Sequence, residues 1–494
     1  MQKLLMKQSL LISILTVLVF SFFWRFGNYN ERWTLSQDQA RDGIIGFHMV
    51  QNFTLPLIGP PSSAGMFSFG PYYYWLIALF TLIIPVVNGP WIGFTLLSIL
   101  TVVVFYFIGD KLLCRLAGVI FALIAEFSAE LIFHSTDMLN PIPLSLTSAL
   151  VILFIILLID HKKIFYSFLV GLFIGISINF HLQAIGLLII LPLISLINSF
   201  HTVQKVNVFL LSIVGLVVSF IPLIIFNGLN QNILFTNIWQ FIFANNNSSG
   251  VENNLITDLF IFWPQFWGQV IAHNNWLGYI FIILFLIALV IATGKKLNKS
   301  LYILGLTLLF QFLFIYIYSG VRSPVYLIVF QSFFIFLSGW IIFQFQFIHK
   351  YLSLLLLIIL LMITLPANIK TFQNNNSQIS IISSIKEKID LEIFTDVKIL
   401  SDQNSNMISL PLYYLYKKEN KISESGIEII VCENKLVKTE DGITEKWSCP
   451  VDITPIAETD TYKIYKKDSL STEQQEQFTE IKSEEIYNSL YTNY

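Results

Sequence analysis

The chain has 494 residues, 55% of them hydrophobic, 15% aromatic and only 12% charged, with a formal net charge of −2, whereas a soluble domain carries about 25% charged residues. That composition is of an integral membrane protein; no basic stripe interleaved with aromatics occurs, so nucleic acid is not among the expected partners. Three cysteines, Cys114, Cys432 and Cys449, without C-x-x-C spacing argue against a disulfide scaffold or a structural zinc site.

Charge divides the chain. Residues 1–370 hold 16 Lys/Arg against 10 Asp/Glu, whereas residues 371–494 hold 13 against 21. Two domains are expected: an all-α polytopic membrane domain over 1–370 and a small acidic α/β domain over 371–494, outside the cytoplasm.

A spanning helix needs about 20 apolar residues to cross about 30 Å of hydrocarbon. Eleven runs qualify, at 8–26, 90–109, 116–133, 143–160, 164–180, 182–199, 206–226, 276–293, 300–318, 324–344 and 351–367. The first ends in Phe22-Phe23-Trp24-Arg25 with no small-residue cleavage site and reads as an uncleaved anchor. Under this count Lys3, Lys7, Lys111, Arg115, Lys162, Lys163, Lys205, Lys295, Lys296, Lys299 and Lys350 share one side, which assigns that side and the N-terminus to the cytoplasm. The odd number of crossings then leaves the tail outside. Residues 72–87 are too short for a crossing, and counting them as one would move most lysines outward. They read as a re-entrant or interfacial helix opened by Tyr72-Tyr73-Tyr74-Trp75, within a long first outer loop over 27–89. No charge is expected near mid-span, only Asn179, Gln311 and Gln331. An ion-coupled pump would need buried charges at that depth, so function is expected on the outer surface.

The densest polar cluster is SQDQARDGIIGFHMVQN, residues 36–52. Ser36 and Gln39 have capping-box spacing, so a helix should begin near Gln37 and gather Asp38, Arg41 and Asp42 at one end. In the plain alternative, Asp38 complements the helix dipole and Arg41 pairs with it. Residues 58–75 follow a turn-rich Gly/Pro/Ser path, either offering backbone N–H groups to a phosphate or simply connecting elements. The second outer loop, 125–143, contains Glu126, Glu130, His134, Asp137 and Asn140. His134 and Asp137, three apart, can face one site, and an acid there suits hydroxyls or a cation; a hydrogen-bonded structural histidine is the alternative. Residues 227–275 lack Lys and Arg and end in the aromatic segment FIFWPQFWGQVIAHNNW, either a cover for a lipid or sugar or an ordinary surface helix. Arg322, in YSGVRSPVY, stands at the outer mouth of two spans, where a guanidinium either grips phosphate bidentately or anchors to headgroups.

An Asp-centred motif just past the first span (Gln37-Asp38-Gln39), then Gly70-Pro71-Tyr72-Tyr73-Tyr74-Trp75 opening an interfacial helix, then a second polar loop, resembles the GT-C glycosyltransferases, specifically the branch of the protein O-mannosyltransferases and the aminoarabinose transferase. The likeness in layout runs over residues 1 to about 340. That family's first-loop motif is usually two adjacent acids; here only Asp38 carries over, because Gln39 follows it. The second loop has Thr136-Asp137-Met138 where some relatives place an arginine, so a phosphate anchor falls to Arg41 or Arg322. The resemblance implies transfer of a sugar from a polyprenyl-phosphate donor to a lipid, glycan or protein acceptor at the outer face, in one inverting step. Asp38 would be the general base. Arg41 or Arg322 would stabilise the departing phosphate, and Asp42, His134, Asp137, Asn140, Tyr72 and Tyr73 would orient donor or acceptor. A divalent cation is left open. Two rivals remain: a lipid-linked oligosaccharide flippase or other transporter, for which neither a central polar cavity nor internal repeats are found, and a polysaccharide polymerase or ligase using a lipid-diphosphate donor.

In the tail, ISIISSIKEKID and ISLPLYYLYKKEN are helix-like, and VKILS, GIEIIVCE and TYKIYKK strand-like. Cys432 and Cys449 could pair there in an oxidising compartment. The terminal STEQQEQFTEIKSEEIYNSLYTNY is either an amphipathic helix or a loose end.

Overall fold

The computed structural model describes residues 15–63, 65–196, 202–243, 254–293, 299–317, 322, 324–373, 377–401, 406–439, 442–447, 453–459, 462–471, 475 and 478–491. Lys3, Lys7, Lys295, Lys296 and Cys449 lie outside them.

The chain enters through an apolar helix, α1 (Leu15–Phe26), and a single turn, α2 (Tyr29–Arg32). The expected first-loop helix follows as α3 (Gln37–Asn52), started by a complete Ser36/Gln39 capping box. Its end is set by Phe53, in the left-handed region at φ 53°. The Tyr72-Tyr73-Tyr74-Trp75 segment opens α4 (Tyr72–Ile83), whose 12 residues reach only about 18 Å, too short to cross hydrocarbon.

From α5 (Gly89–Leu112) onward the apolar runs become helices: α6 (Arg115–Glu126), α7 (Ala129–Phe133), α8 (Leu144–His161), α9 (Phe165–Phe180), α10 (Ile190–Ser195) and α11 (Thr202–Leu229). After α12 (Ile233–Phe243) and the short α13 (Leu255–Thr257), a π-helical turn over Asp258–Phe262 leads into α14 (Trp263–Ala272). The membrane part closes with α15 (Asn275–Thr293), α16 (Lys299–Ile317), α17 (Ile328–Gln344) and α18 (Leu352–Gln373).

Seven described helices are long and apolar enough to cross a membrane, or eight if the bent pair Arg115–Glu126 and Ala129–Thr136 counts as one. The chain is an integral membrane protein, and several runs read as uniform spans differ in detail. The run at 116–133 bends by 56° after Glu126. The run at 182–199 starts as a 3₁₀ helix over Leu182–Ile189 before α10, and the run at 324–344 becomes helical only at Ile328. Within the bundle α17 is central, with 94% of its most apolar window buried, whereas only 33% is buried in α11 and 28% in α15. The last two therefore turn most of their apolar surface outward, as lipid-facing helices do.

Arg25 and Glu126 are both fully buried, with Arg25 Nη1 3.0 Å from each Glu126 oxygen. Ser21 also donates to Glu126, and Arg25 Nε donates to Ser98 Oγ at 2.9 Å. Charge is thus admitted into the bundle because a partner 101 residues away neutralises it, a pairing that run-by-run hydropathy does not register.

Beyond the bundle, α19 (Ser377–Glu392), α20 (Asn406–Lys418) and α21 (Ser483–Asn488) accompany a six-stranded sheet, ordered β4-β5-β2-β1-β6 with β3 also paired to β2. Its strands are β1 (Val397–Ser401), β2 (Ile427–Thr439), β3 (Gly442–Trp447), β4 (Ala457–Glu458), β5 (Tyr462–Lys466) and β6 (Thr479–Glu480). β1 and β2 are parallel, Val397 opposite Ile427, and the other pairs are antiparallel. The small α/β unit read from the tail is therefore present, and the terminal segment supplies β6 and α21. Cys432 is disulfide-bonded.

This unit rests on α3. The Tyr414 ring closes so tightly over Gly43 that a Cβ there would lie 2.7 Å from a ring carbon. Tyr414 also donates to the Val87 carbonyl, the Lys418 ammonium lies 5.2 Å from the Phe47 ring centre, and Tyr487 stacks on His48 at 4.5 Å. The first-loop helix is sandwiched between α4 and the tail.

Candidate active site

The capping box fixes where α3 starts, and helical spacing then brings Asp38, Arg41 and Asp42 together. Arg41 Nη1 donates to Asp38 Oδ1 at 2.8 Å, and Arg41 Nε donates to Asp42 Oδ1 at 2.9 Å. The two acids differ in environment. The Asp42 side chain is buried and also accepts from the Tyr74 hydroxyl at 3.1 Å, whereas that of Asp38 is 66% exposed. Burial pushes the Asp42 carboxyl above the ordinary carboxylate range against the opposing pull of Arg41. Asp38 is therefore an anchored carboxylate open to a ligand, while Asp42 and Tyr74 form the floor that holds Arg41.

The second loop packs against the same helix start. Thr34 donates to Asp137 Oδ1 at 3.0 Å, and Gln39 Nε2 meets the Thr34 hydroxyl. His134 lies between Asp137, 2.8 Å from Nδ1, and Glu130, 3.2 Å from Nε2; Glu130 in turn contacts His273 Nε2 at 2.6 Å. His134 is thus held between two carboxylates, and Glu130 between two imidazoles.

The remaining candidates are distributed. Tyr73 is fully buried and donates to the Met138 carbonyl at 2.9 Å, tying the first loop to the second. Tyr72 donates to the Ser219 carbonyl of α11 at 2.7 Å, and Asn140 donates to the Phe180 carbonyl at 2.9 Å. Arg322 is occupied by Asp258 at 2.7 Å and the Ile315 carbonyl at 3.2 Å, and it lies over the Phe262 ring. Among the described residues, its Nε and Asp258 Oδ2 are both buried without a hydrogen-bond partner. Arg32, not singled out from sequence, donates to the carbonyls of Trp24, Gly27 and Ile132, so it pins both loops to the end of α1.

Residues 68–226 match the family model of dolichyl-phosphate-mannose-protein mannosyltransferases. Among solved structures, ArnT from Cupriavidus metallidurans in the apo state is similar at a TM-score of 0.57 and 11% identity, over 86% of this chain and 93% of that one. ArnT from the same organism bound to undecaprenyl phosphate gives 0.56 at 10%, over 92% and 98%. The Archaeoglobus fulgidus oligosaccharyltransferase in complex with Zn and sulfate gives 0.50 at 11%, over 89% and 74%.

The chain has the GT-C glycosyltransferase fold. It resembles the protein O-mannosyltransferase and aminoarabinose transferase branch of that group. No curated protein sequence matches the chain. The segment that matches the family model runs from just before α4 to near the end of α11, so it includes the second loop but neither Asp38 nor Arg322. Among the described residues, no three His, Cys, Asp or Glu side chains are arranged to hold a metal ion. In the first loop Arg41 already occupies the place between Asp38 and Asp42 that a cation would take, so these residues do not fit a metal as they stand.

Proposed function

We propose that the protein is an integral membrane glycosyltransferase that moves a sugar from a polyprenyl-phosphate donor to an acceptor on the extracytoplasmic face. The observation that carries this reading is the anchored, exposed Asp38 carboxylate at the start of the first-loop helix within a GT-C fold. On this reading residues 1–370 carry the transfer, the N-terminus is cytoplasmic, and residues 371–494 lie outside and support α3.

Nucleotide sugars stay in the cytoplasm, whereas a polyprenyl carrier can lie among apolar helices and leave its phosphate and sugar at the outer interface. An acceptor hydroxyl meets Asp38, which takes its proton as the oxygen attacks the anomeric carbon. The bond from that carbon to the phosphate oxygen breaks in the same step, its electron pair stays on the phosphate, and the configuration inverts. Arg41 orients Asp38 by holding one carboxylate oxygen and leaving the other free. In this concerted step proton transfer and attack share one transition state. Asp42 acts through Arg41, and His134, Asp137 and Asn140 shape the opposing loop.

Arg322 is the proposed phosphate anchor, with Asp258 exchanged for the incoming phosphate. Arg322→Lys should weaken donor binding roughly tenfold through loss of the bidentate fork, with a smaller effect on turnover. Titration with a polyprenyl-phosphate analogue checks this, and unchanged affinity would leave Arg322 as a tether for Asp258.

The reading as a whole is tested by incubating the purified protein with polyprenyl-monophosphate sugars and, separately, with diphosphate-linked glycans. Transfer from the monophosphate alone is expected. Transfer only from the diphosphate would indicate a polymerase or ligase, and movement of donor across vesicles without transfer would indicate a transporter.

A further inference from the structure

A chain of side chains runs from the second loop to the start of α3, and its hydrogen bonds have one permitted direction. His134 directs Nδ1 at Asp137 and Nε2 at Glu130, at 2.8 and 3.2 Å. A neutral imidazole has one N–H, so serving two carboxylates calls for the imidazolium. Asp137 is then an acceptor on both oxygens, and its Oδ1 takes the single hydrogen of the Thr34 hydroxyl at 3.0 Å. With that hydrogen committed, Thr34 can only accept from Gln39, so Gln39 must present its NH₂ group there. That turns Gln39 Oε1 towards the Ser36 N–H at 2.8 Å, which closes the capping box beside Asp38. Gln39, His134 and Asp137 are 2%, 6% and 8% exposed, too enclosed for water to replace a lost partner readily.

We infer that Gln39 is a positioning residue whose amide must donate, and that Asp137, through Thr34, sets the direction of that donation and so fixes the helix start carrying Asp38. The inference rests on the assignment of Asp38 to the proton-accepting role. A general capping argument predicts something different, because glutamate serves a capping box as well as glutamine. In this chain Gln39→Glu would place two carboxylates on one hydroxyl that has one hydrogen to give, and the introduced side chain would turn away from Ser36.

The direction of the chain can be reversed. Combining Gln39→Glu with Asp137→Asn lets the new amide donate to Thr34 and accept from His134 Nδ1–H, while the Thr34 hydroxyl donates to the new carboxylate, which still accepts from Ser36. Every link is satisfied again, with the opposite polarity.

The test uses the full chain in nanodiscs and two readouts: transfer kinetics with a polyprenyl-monophosphate sugar, and amide hydrogen exchange over residues 36–40. Thr34→Val and Gln39→Glu should each lower kcat roughly tenfold, the effect of about one lost hydrogen bond, with donor KM nearly unchanged and faster exchange. Thr34→Ser, which keeps the hydroxyl, should behave as the parent. The double variant should recover most of the turnover and protection that Gln39→Glu alone loses. Parent-like exchange and turnover in Gln39→Glu, or a double variant no better than the single one, overturns the inference, as does a change confined to donor KM, which would place Gln39 against the substrate. The exchange readout does not depend on chemistry. Should Asp38→Asn remain active while exchange follows the stated pattern, the role of Asp38 fails and the positioning of α3 by Gln39 stands.

Discussion

Asp38→Asn is expected to lower transfer by about 10² to 10⁴, the usual contribution of a positioned general base, while leaving membrane insertion and thermal stability close to the parent. The expectation follows from the division of labour around Arg41. Asparagine retains an oxygen for Arg41 Nη1, which holds Asp38 Oδ1 at 2.8 Å, so the side chain keeps its place and loses only its capacity to take a proton. With the side chain 66% exposed, the substitution leaves no cavity and strands no buried charge. Steady-state turnover with a polyprenyl-monophosphate sugar, beside a melting curve of the same preparation, separates the outcomes. Activity within a few fold of the parent would remove Asp38 as the base. Equal losses of activity and stability would instead mark it as structural.

Glu126→Ala should destabilise the bundle by about 3 to 5 kcal/mol, because it leaves the Arg25 guanidinium buried and unpaired. Arg25 and Glu126 are completely buried, and the pair joins α1 to the end of α6 just before the 56° bend that starts the second loop. Replacing both residues by leucine should be much milder, since removing a buried pair together strands no charge. Thermal or chaotrope unfolding in a fixed detergent distinguishes these cases. A double variant as unstable as the single one would show that the ion pair itself, rather than an abandoned charge, supports the bundle.

Features that are local in sequence are legible in it. The Ser36/Gln39 spacing announced the start of α3, and the three-residue step from Asp38 to Arg41 became an ion pair of 2.8 Å. The aromatic run at Tyr72 announced a helix too short to span, and the strand-like runs of the tail announced a small sheet domain. Contacts between distant positions carried no such signal. Glu130 and His273 are 143 residues apart, and neither pattern nor spacing joins them. Arg322 reads from sequence as either a phosphate grip or a headgroup anchor, and Asp258, 64 residues earlier, carries no mark of being its partner. Hydropathy treated each run alone, so it missed both the bend after Glu126 and the neutralisation that lets Arg25 and Glu126 enter the bundle. Tyr73 illustrates the same limit: an aromatic at an interface suits a ligand, yet its burial and its bond to the Met138 carbonyl are settled by the neighbouring loop.

The account depends above all on the side of the membrane that Asp38 faces. Asp38→Cys in intact cells, treated with a membrane-impermeant maleimide, tests this directly, and the chain supplies its own control. Cys114 is an exposed free thiol between Lys111 and Arg115, at the end of the membrane part assigned to the cytoplasm. Labelling of position 38 without permeabilisation, with Cys114 reacting only after it, is the predicted result. Labelling of position 38 only in permeabilised cells, together with Cys114, would place the carboxylate on the cytoplasmic side and contradict the proposed transfer.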